Sequence, residues 1–136
     1  MTPHDIRRVF ASYITSNWTE TAISWPNIQY NVKPDVEFIR ITFGWGDCVT
    51  GELSESGIDI ETSTLFIDIF TKKDSGTSRP LGYADDLRKL FRRKKLFNED
   101  NSAYIYCDTV NIREINNLDD LFYHVKCSVV FHNFVC

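Results

Sequence analysis

The sequence lacks a long apolar run. Although 43% of its 136 residues are hydrophobic, no stretch approaches the roughly 20 apolar residues of a membrane-spanning helix. The charged N-terminal segment is also not followed by the apolar core of an export signal. We therefore expect a protein that folds in the cytosol where it is made and has no membrane partner.

Cysteine is scarce and widely spaced. The chain has four, Cys48, Cys107, Cys127 and Cys136, and no two of them form a C-x-x-C pair. Structural zinc sites use closely spaced ligand pairs, so this spacing argues against one. In a reducing cytosol we expect free thiols, with Cys107 and Cys127 buried as small hydrophobic residues and Cys136 exposed.

The signatures of phosphate-binding loops, dinucleotide folds, zinc proteases and serine hydrolases are also missing. His124 and His132 share a face of one predicted strand but lie about 26 Å apart, too far to chelate one ion. On a regular strand Asp59 and Glu61 face away from Asp68, so they do not form the convergent carboxylates of a two-metal nuclease. The sequence therefore predicts no catalytic residue, no metal site and no cofactor.

Aromatic residues, in contrast, are abundant. Ten Phe, six Tyr and three Trp supply enough bulk for a sizeable core and some contact surface. The length is that of one compact domain, so we expect residues 1–136 to form a single domain.

Two helices are predicted from apolar stripes with helical spacing. The first covers residues 2–16, with Thr2 as its cap and Asp5 in the position of a capping-box acid. The second covers residues 79–94, with Pro80 in its first turn. The apolar stripe of the first helix is Ile6, Val9, Phe10, Tyr13 and Ile14. The stripe of the second is Tyr83, Ala84, Leu87, Leu90 and Phe91.

Four strands are predicted, over residues 36–46, 58–70, 103–113 and 121–135. The second is apolar on both faces except at Asp68, which is typical of a central strand. The last would span roughly 50 Å, so it must bend, carry a bulge or project. The predicted order is α-β-β-α-β-β, which indicates an α+β fold: a mostly antiparallel sheet packed against two helices.

Charge is unevenly distributed. Residues 88–95 hold six of the fifteen Lys and Arg residues, leaving nine on the rest of the chain against nineteen Asp and Glu. On a helix, one flank would carry Arg88, Arg92 and Lys95. The other would carry Lys89 and Arg93. A phosphate contact is one interpretation of this run, and a solvated helix end or a contact with acids of a neighbouring subunit is the favoured one, since no aromatic platform accompanies it.

The order and spacing of the elements resemble the tail terminator (minor tail, or tail-completion) proteins of long-tailed bacteriophages, the group of lambda minor tail protein U. The likeness covers nearly the whole chain. The segments that carry it are the helix Ile6–Ile14, Trp25–Tyr30, the strands Phe38–Phe43 and Gly57–Phe70, the loop with Gly76, the helix around Ala84–Leu87, and the strand Tyr123–Phe131.

The resemblance implies a small α+β subunit without catalysis or cofactor. It would close into a ring, usually a hexamer, on the head-proximal end of the tail tube. Its partners would be itself, the major tail tube protein and a head-completion or connector protein, and DNA would only pass through the lumen. The protein would be assembled in the host cytoplasm and end in the virion tail.

Exposure and projection, rather than family motifs, predict the contact residues. We expect Trp45 and Asp47 to act at a strand end, and the last strand and the loop of residues 71–80 to project. The predicted loop contacts are Lys72, Lys73, Asp74 and Arg79, and the helix contacts are Arg88 and Arg92.

Three other functions stay open at the level of sequence. Another ring of the same neck, such as a head-completion or connector protein, could share this pattern, because fold alone does not decide function. A DNA-binding module would use residues 88–95, and a small metal-dependent nuclease would need Asp59, Glu61 and Asp68 to converge.

Overall fold

A computed structural model of the chain describes residues 1–33, 36–50, 59–115 and 122–135. Four positions named in the predictions above, Gly57, Ile58, Leu121 and Cys136, lie outside these residues.

The first helix, α1, spans Pro3–Asn17 and begins with the predicted cap. The Asp5 amide donates to Oγ1 of Thr2 (3.2 Å), and the Thr2 amide donates to the Asp5 carboxylate (3.1 Å). These bonds satisfy amides that have no partner within the helix. The bond from the Thr2 amide is also the largest cause of the lowered pKa of Asp5. The buried positions confirm the predicted stripe: Ile6, Phe10 and Ile14.

The second helix, α2, spans Ser78–Phe91, so the prediction that it continues to Lys94 is wrong. Arg93 adopts a φ of 55°, outside the helical region, and residues 94–97 form a strand instead. Leu96 of this strand pairs with Ile105. That long-range pairing outweighs the helix preference of a Lys- and Arg-rich segment.

In the described part of the chain, seven strands form one sheet in the order β1-β2-β4-β7-β6-β5, and β3 pairs with β4 beyond the end of β2. β1 is parallel to β2, and the remaining pairs are antiparallel. The strands are β1 (Ala22–Ser24), β2 (Phe38–Gly44), β3 (Cys48–Thr50), β4 (Asp59–Lys72), β5 (Lys94–Phe97), β6 (Tyr104–Ile115) and β7 (Phe122–Val135).

The α+β class and the mostly antiparallel sheet are confirmed, but the element order needs correction. The chain runs α-β-β-β-β-α-β-β-β. The three strands that the sequence did not predict, β1, β3 and β5, have only three or four residues each. Strands this short show too little alternation to be recognised from sequence.

The long strands β4 and β7 form the middle of the sheet. They pair without a register shift from Asp59–Val135 to Lys72–Phe122, and each has a further neighbour on its other side. A bend, bulge or projection was predicted for the last strand, β7, but the bulge lies in its neighbour β6, where Cys107 is opposite Phe131 and Val110 is opposite Val129. β7 pairs with β4 along its whole length, so it does not project alone. In β6, odd-numbered residues face the helices before the bulge, and even-numbered residues face them after it.

Both helices pack on one face of the sheet, which we call the covered face. Phe10 of α1 is fully buried there, with its ring centroid 5.0 Å from Phe131 of β7 and 6.1 Å from Phe91 of α2. The Tyr13 hydroxyl joins the helices by donating to the Leu90 carbonyl. This three-way packing joins both helices to the sheet around one core.

Neither helix packs on the opposite face, which we call the open face. Aromatic rings group at one end of it, where Phe38 stacks on Phe70 at 4.8 Å and Phe122 meets Phe38 edge-on at 5.5 Å. Tyr30 packs on Phe38, and His124 stacks on Phe70. These five residues are the open-face cluster, and they bury Phe38 and Phe122 without a helix.

A charged row crosses the open face beside this cluster. Arg40, Asp68, Lys126 and Arg113 are opposite one another on four successive strands. Asp68 is buried, with His124 Nε2 at 2.7 Å and Lys126 Nζ at 3.8 Å from its Oδ1. The pairs Arg40–Asp68 and Asp68–Lys126 place opposite charges on directly paired strand positions, which stabilises the sheet and favours this register.

Candidate assembly surfaces

One predicted contact region is the turn between β4 and α2, at one end of the sheet. Lys72, Lys73, Asp74 and Arg79 are all exposed there, and Asp74 has a φ of 62°. Arg79 is tied back to the body, because its Nη1 is 2.8 Å from a Glu37 oxygen, and the carboxylate raises the pKa of the guanidinium. Charged side chains therefore surround this turn, and one of them, Arg79, also forms an ion pair with Glu37, just before β2.

Trp45 and Asp47 lie at the other end of β2, before β3. Trp45 is 42% exposed, and its ring stacks on Phe43 at 5.2 Å with an interplanar angle of 7°. Asp47 is exposed, and its carbonyl accepts a hydrogen bond from the Thr62 amide. A large ring held rigidly by its neighbour while half exposed is a suitable anchor for a protein contact.

The structure does not bring these two regions together. Gly44, next to Trp45, is opposite Thr64, which lies eight residues before Lys72 on β4. At about 3.3 Å per residue the regions are about 26 Å apart. One subunit therefore presents two chemically different surfaces, one beyond each end of β2.

The two cations predicted on the second helix have different surroundings. Arg88 is half-buried, and its Nη2 donates to the Val110 carbonyl at the bulge of β6 (3.3 Å). Arg92 is exposed and forms the cap of α2, with its amide bonded to the Arg88 carbonyl. Because the helix ends at Phe91, the two predicted cationic flanks that continue through Arg93 and Lys95 do not exist.

The cations that follow Phe91 instead line the free edge of β5. Arg92, Arg93, Lys94 and Lys95 are all exposed, and we call these four residues the basic edge. The ion pairs formed among residues 1–33, 36–50, 59–115 and 122–135 involve none of them. β5 also borders an open groove beside α1.

Sequence reasoning missed this edge because it assigned the run to a helix. The alternation of Leu96 against Lys95 and Phe97, just before a turn-forming Asn-Glu-Asp-Asn segment, was the only local signal for a strand.

The histidines and acids have separate partners. His132 has Thr62 Oγ1 3.0 Å from its Nδ1 and Asp108 Oδ2 3.3 Å from its Nε2. Glu61 accepts a hydrogen bond from Asn133, whereas Asp68 lies seven residues farther along β4 beside His124. Glu61 and Asp68 are about 23 Å apart at strand spacing, so these carboxylates do not converge on one ion.

The buried thiols are placed as predicted. Cys107 and Cys127 are fully buried, and burial raises the pKa of each thiol to about 12. Cys48 is exposed on β3. The pKa of this thiol is raised, first by desolvation and then by the negative charges of Asp59 and Glu61.

Comparison with known protein families identifies the kind of protein that carries these surfaces. A family model described as "Phage tail terminator protein" matches residues 5–129. The chain belongs to the phage tail terminator family. The family consists of structural proteins of the phage tail. This terminator therefore has a structural role in tail assembly and is located in the tail of the virion, where it interacts with tail tube and head proteins.

The fold of this terminator also occurs among solved structures. One solved protein with 11% sequence identity superposes with a TM-score of 0.73, covering 100% of this chain and 97% of that one. At this identity the likeness shows the fold alone. No curated protein sequence matches the chain. Among the residues that the structure describes, no helix is long and apolar enough to cross a bilayer.

Proposed function

We propose that the chain forms a ring of identical subunits, six in number as the family resemblance implies, that caps the head-proximal end of the tail tube. The ring ends tube polymerisation and offers the surface to which the head is joined. A tube grows because each ring presents a face that accepts the next one. A terminator must match that face on one side and present a different one on the other.

The single observation that carries this proposal is the separation of the two contact regions by about 26 Å along β4. Lys72, Lys73, Asp74 and Arg79 surround one end of the sheet, and Trp45 and Asp47 lie toward the other. A subunit with a charged turn at one end and an aromatic anchor toward the other can bind two different rings. Arg88 contributes indirectly by holding the bulge of β6.

The charge balance supports passage of DNA through such a ring. The chain has a formal net charge of −4, and its cations are concentrated in residues 88–95. An acidic body repels the phosphate backbone, so DNA can move past it without being retained. The basic residues do not form one continuous helix face, which disfavours the alternative of a DNA-binding module.

Charge reversal at the turn tests the proposal. In Lys72→Glu/Lys73→Glu, we expect assembled tubes to keep elongating after addition of the protein, whereas wild-type protein stops elongation. Tube length and the presence of a cap are measured by negative-stain imaging. The matched control is Lys33→Glu/Arg113→Glu, which changes the net charge equally at two exposed positions outside residues 71–80.

Arg79 needs a separate design, because reversal alone would leave two carboxylates facing each other at Glu37. The double variant Glu37→Arg/Arg79→Glu retains the ion pair with its two partners exchanged, so that position 79 of the turn becomes negative. If Lys72→Glu/Lys73→Glu caps tubes as the wild type does, the turn is not a tube contact.

A further inference from the structure

We propose that the basic edge of one subunit docks against the β3 edge of a second copy of this chain, and that this contact joins neighbours in the ring. The inference rests on the proposed ring and assigns the surfaces that build it. Where β3 pairs with β4, beyond the end of β2, the sheet has two free edges, β3 on one side and β5 on the other.

The two edges lie level with each other. Cys48 of β3 is opposite Glu61, which is opposite Asn133, then Ile105, then Leu96 of β5. One row of paired residues thus crosses five strands, about 19 Å at 4.8 Å per strand, from one free edge to the other. A second copy placed beside this one can therefore bring its β3 edge level with the β5 edge of the first, so that the row of paired residues continues across the contact.

The two edges have opposite charge. The β5 edge carries the four exposed cations from Arg92 to Lys95. On the β3 side, the described residues 47–50 and 59–61 include three acidic residues, Asp47, Asp59 and Glu61, and no Lys or Arg. Glu61 is opposite Cys48 and Asp59 is opposite Thr50, so two of these acids lie beside β3. Their negative charges also contribute to the raised pKa of the Cys48 thiol.

The edges are also open to a partner. In the described residues no strand pairs with the outer side of β3 or of β5, and unpaired strand edges readily accept another strand. Asp108 lies near the basic edge, where its carbonyl accepts from the Arg93 amide, but its carboxylate faces His132. Lys95 lies over the Tyr104 ring, with its Nζ 4.9 Å from the ring centroid. Arg92, Arg93 and Lys94 form no ion pair within the described residues, so their charges are available for a second chain.

Contact between opposite edges of identical subunits has a direction. A basic edge meets an acidic edge, so each subunit uses one of each, and the contact is head-to-tail rather than two-fold symmetric. Such contacts generate rings when the rotation per subunit closes. Two like edges would repel each other, which disfavours symmetric dimers.

Reciprocal charge reversal tests the pairing. Arg92→Glu/Lys94→Glu makes both edges acidic, and Asp47→Lys/Asp59→Lys makes both basic. We expect each variant alone to lose the oligomer peak in size-exclusion chromatography with light scattering. An equimolar mixture should recover it, because every contact then joins an acidic edge to a basic one. The Lys33→Glu/Arg113→Glu control, with the same charge change as the first variant, should stay oligomeric.

A disulfide test measures the contact directly. Lys94→Cys places a thiol on the β5 edge, and native Cys48 supplies its partner on β3 of the neighbour. In a Cys136→Ser background we expect mild oxidation to give a ladder of covalent oligomers ending at one ring size. Arg113→Cys in the same background should give no ladder, since Arg113 lies on the open face of β6.

The outcomes separate this inference from the proposed function. If wild-type protein forms rings and both reversal variants form them equally well, the edge contact is wrong and the ring stands. If both variants dissociate but their mixture does not reassemble, the pairing of these two edges is wrong. If wild-type protein forms no oligomer, alone or on tube ends, the proposed ring fails and the edge contact with it.

Discussion

The two faces of the sheet bury apolar surface in different ways. On the covered face, Phe10 of α1, Phe91 of α2 and Phe131 of β7 have no exposed surface, because the two helices and the sheet pack around them. On the open face, Phe38, Phe70 and Phe122 shield one another, and Arg40 lies over two of the rings. The comparison shows that the covered face holds the fold, while the open face combines local packing with a charged surface.

Removing Phe10 should cause the largest loss. Phe10→Ala leaves a cavity where α1, α2 and the sheet meet, and we expect the free energy of unfolding to fall by about 4 kcal/mol. Urea denaturation followed by far-UV circular dichroism measures it. Phe10→Leu, which fills most of the space, should lose clearly less.

The same truncation on the open face should cost less. For Phe122→Ala we expect a loss of about 2 kcal/mol, because this ring is 7% exposed and packs at the border of the open-face cluster. The same denaturation experiment applies. A loss equal to that of Phe10→Ala would make the open-face cluster a second core and remove the difference between the faces.

The helix cap gives a smaller and pH-dependent effect. Thr2→Ala removes one half of the capping box, and we expect a loss of about 1 kcal/mol at neutral pH. Because the pKa of Asp5 is lowered in the folded chain, the Asp5 contribution is present above the unfolded value of about 3.9 and is lost as the pH falls through the folded value.

The comparison of wild type with Asp5→Asn between pH 7 and pH 2 measures that contribution. The two stability curves should converge at the acidic end. A constant difference across this range would mean that the Asp5 carboxylate does not stabilise α1 through its charge.

The smallest expected effect has the opposite sign. Thr71 is fully buried, and its hydroxyl has no hydrogen-bond partner in the described residues. We expect Thr71→Val to raise the free energy of unfolding by about 0.5 kcal/mol, since it removes an unpaired polar group. Thr64→Val, at a half-buried position on the open face, is the control and should change stability less.

The sequence predicted the covered face well, because the regular spacing of apolar residues along a helix or strand indicates which side chains are buried. The stripe from Ile6 to Ile14 and the alternation from Val125 to Phe131 both appear as buried residues in the structure. The capping box of Thr2 and Asp5 was also found, because its partners are three residues apart. These features depend on neighbours in sequence.

The features that were missed depend on distant partners. The four residues of β5 are a strand only because β6 pairs with them, and their composition alone favours a helix. The ion pair of Arg79 with Glu37 joins residues 42 positions apart and has no local signature. Of the candidate contact residues, sequence located the charged turn and Trp45, but it could not show that they lie about 26 Å apart along β4.

The bulge of β6 divides that strand into two phases. Before it, odd-numbered residues such as Ile105 and Cys107 face the helices, and after it even-numbered residues such as Val110 and Ile112 do so. Deleting residue 108 or 109 would leave Cys107 and Val110 two positions apart, so regular alternation would still keep Val110 and Ile112 facing the helices. The one extra residue of the bulge therefore lets the odd-numbered first half and the even-numbered second half of β6 bury their apolar side chains on the same face of the sheet.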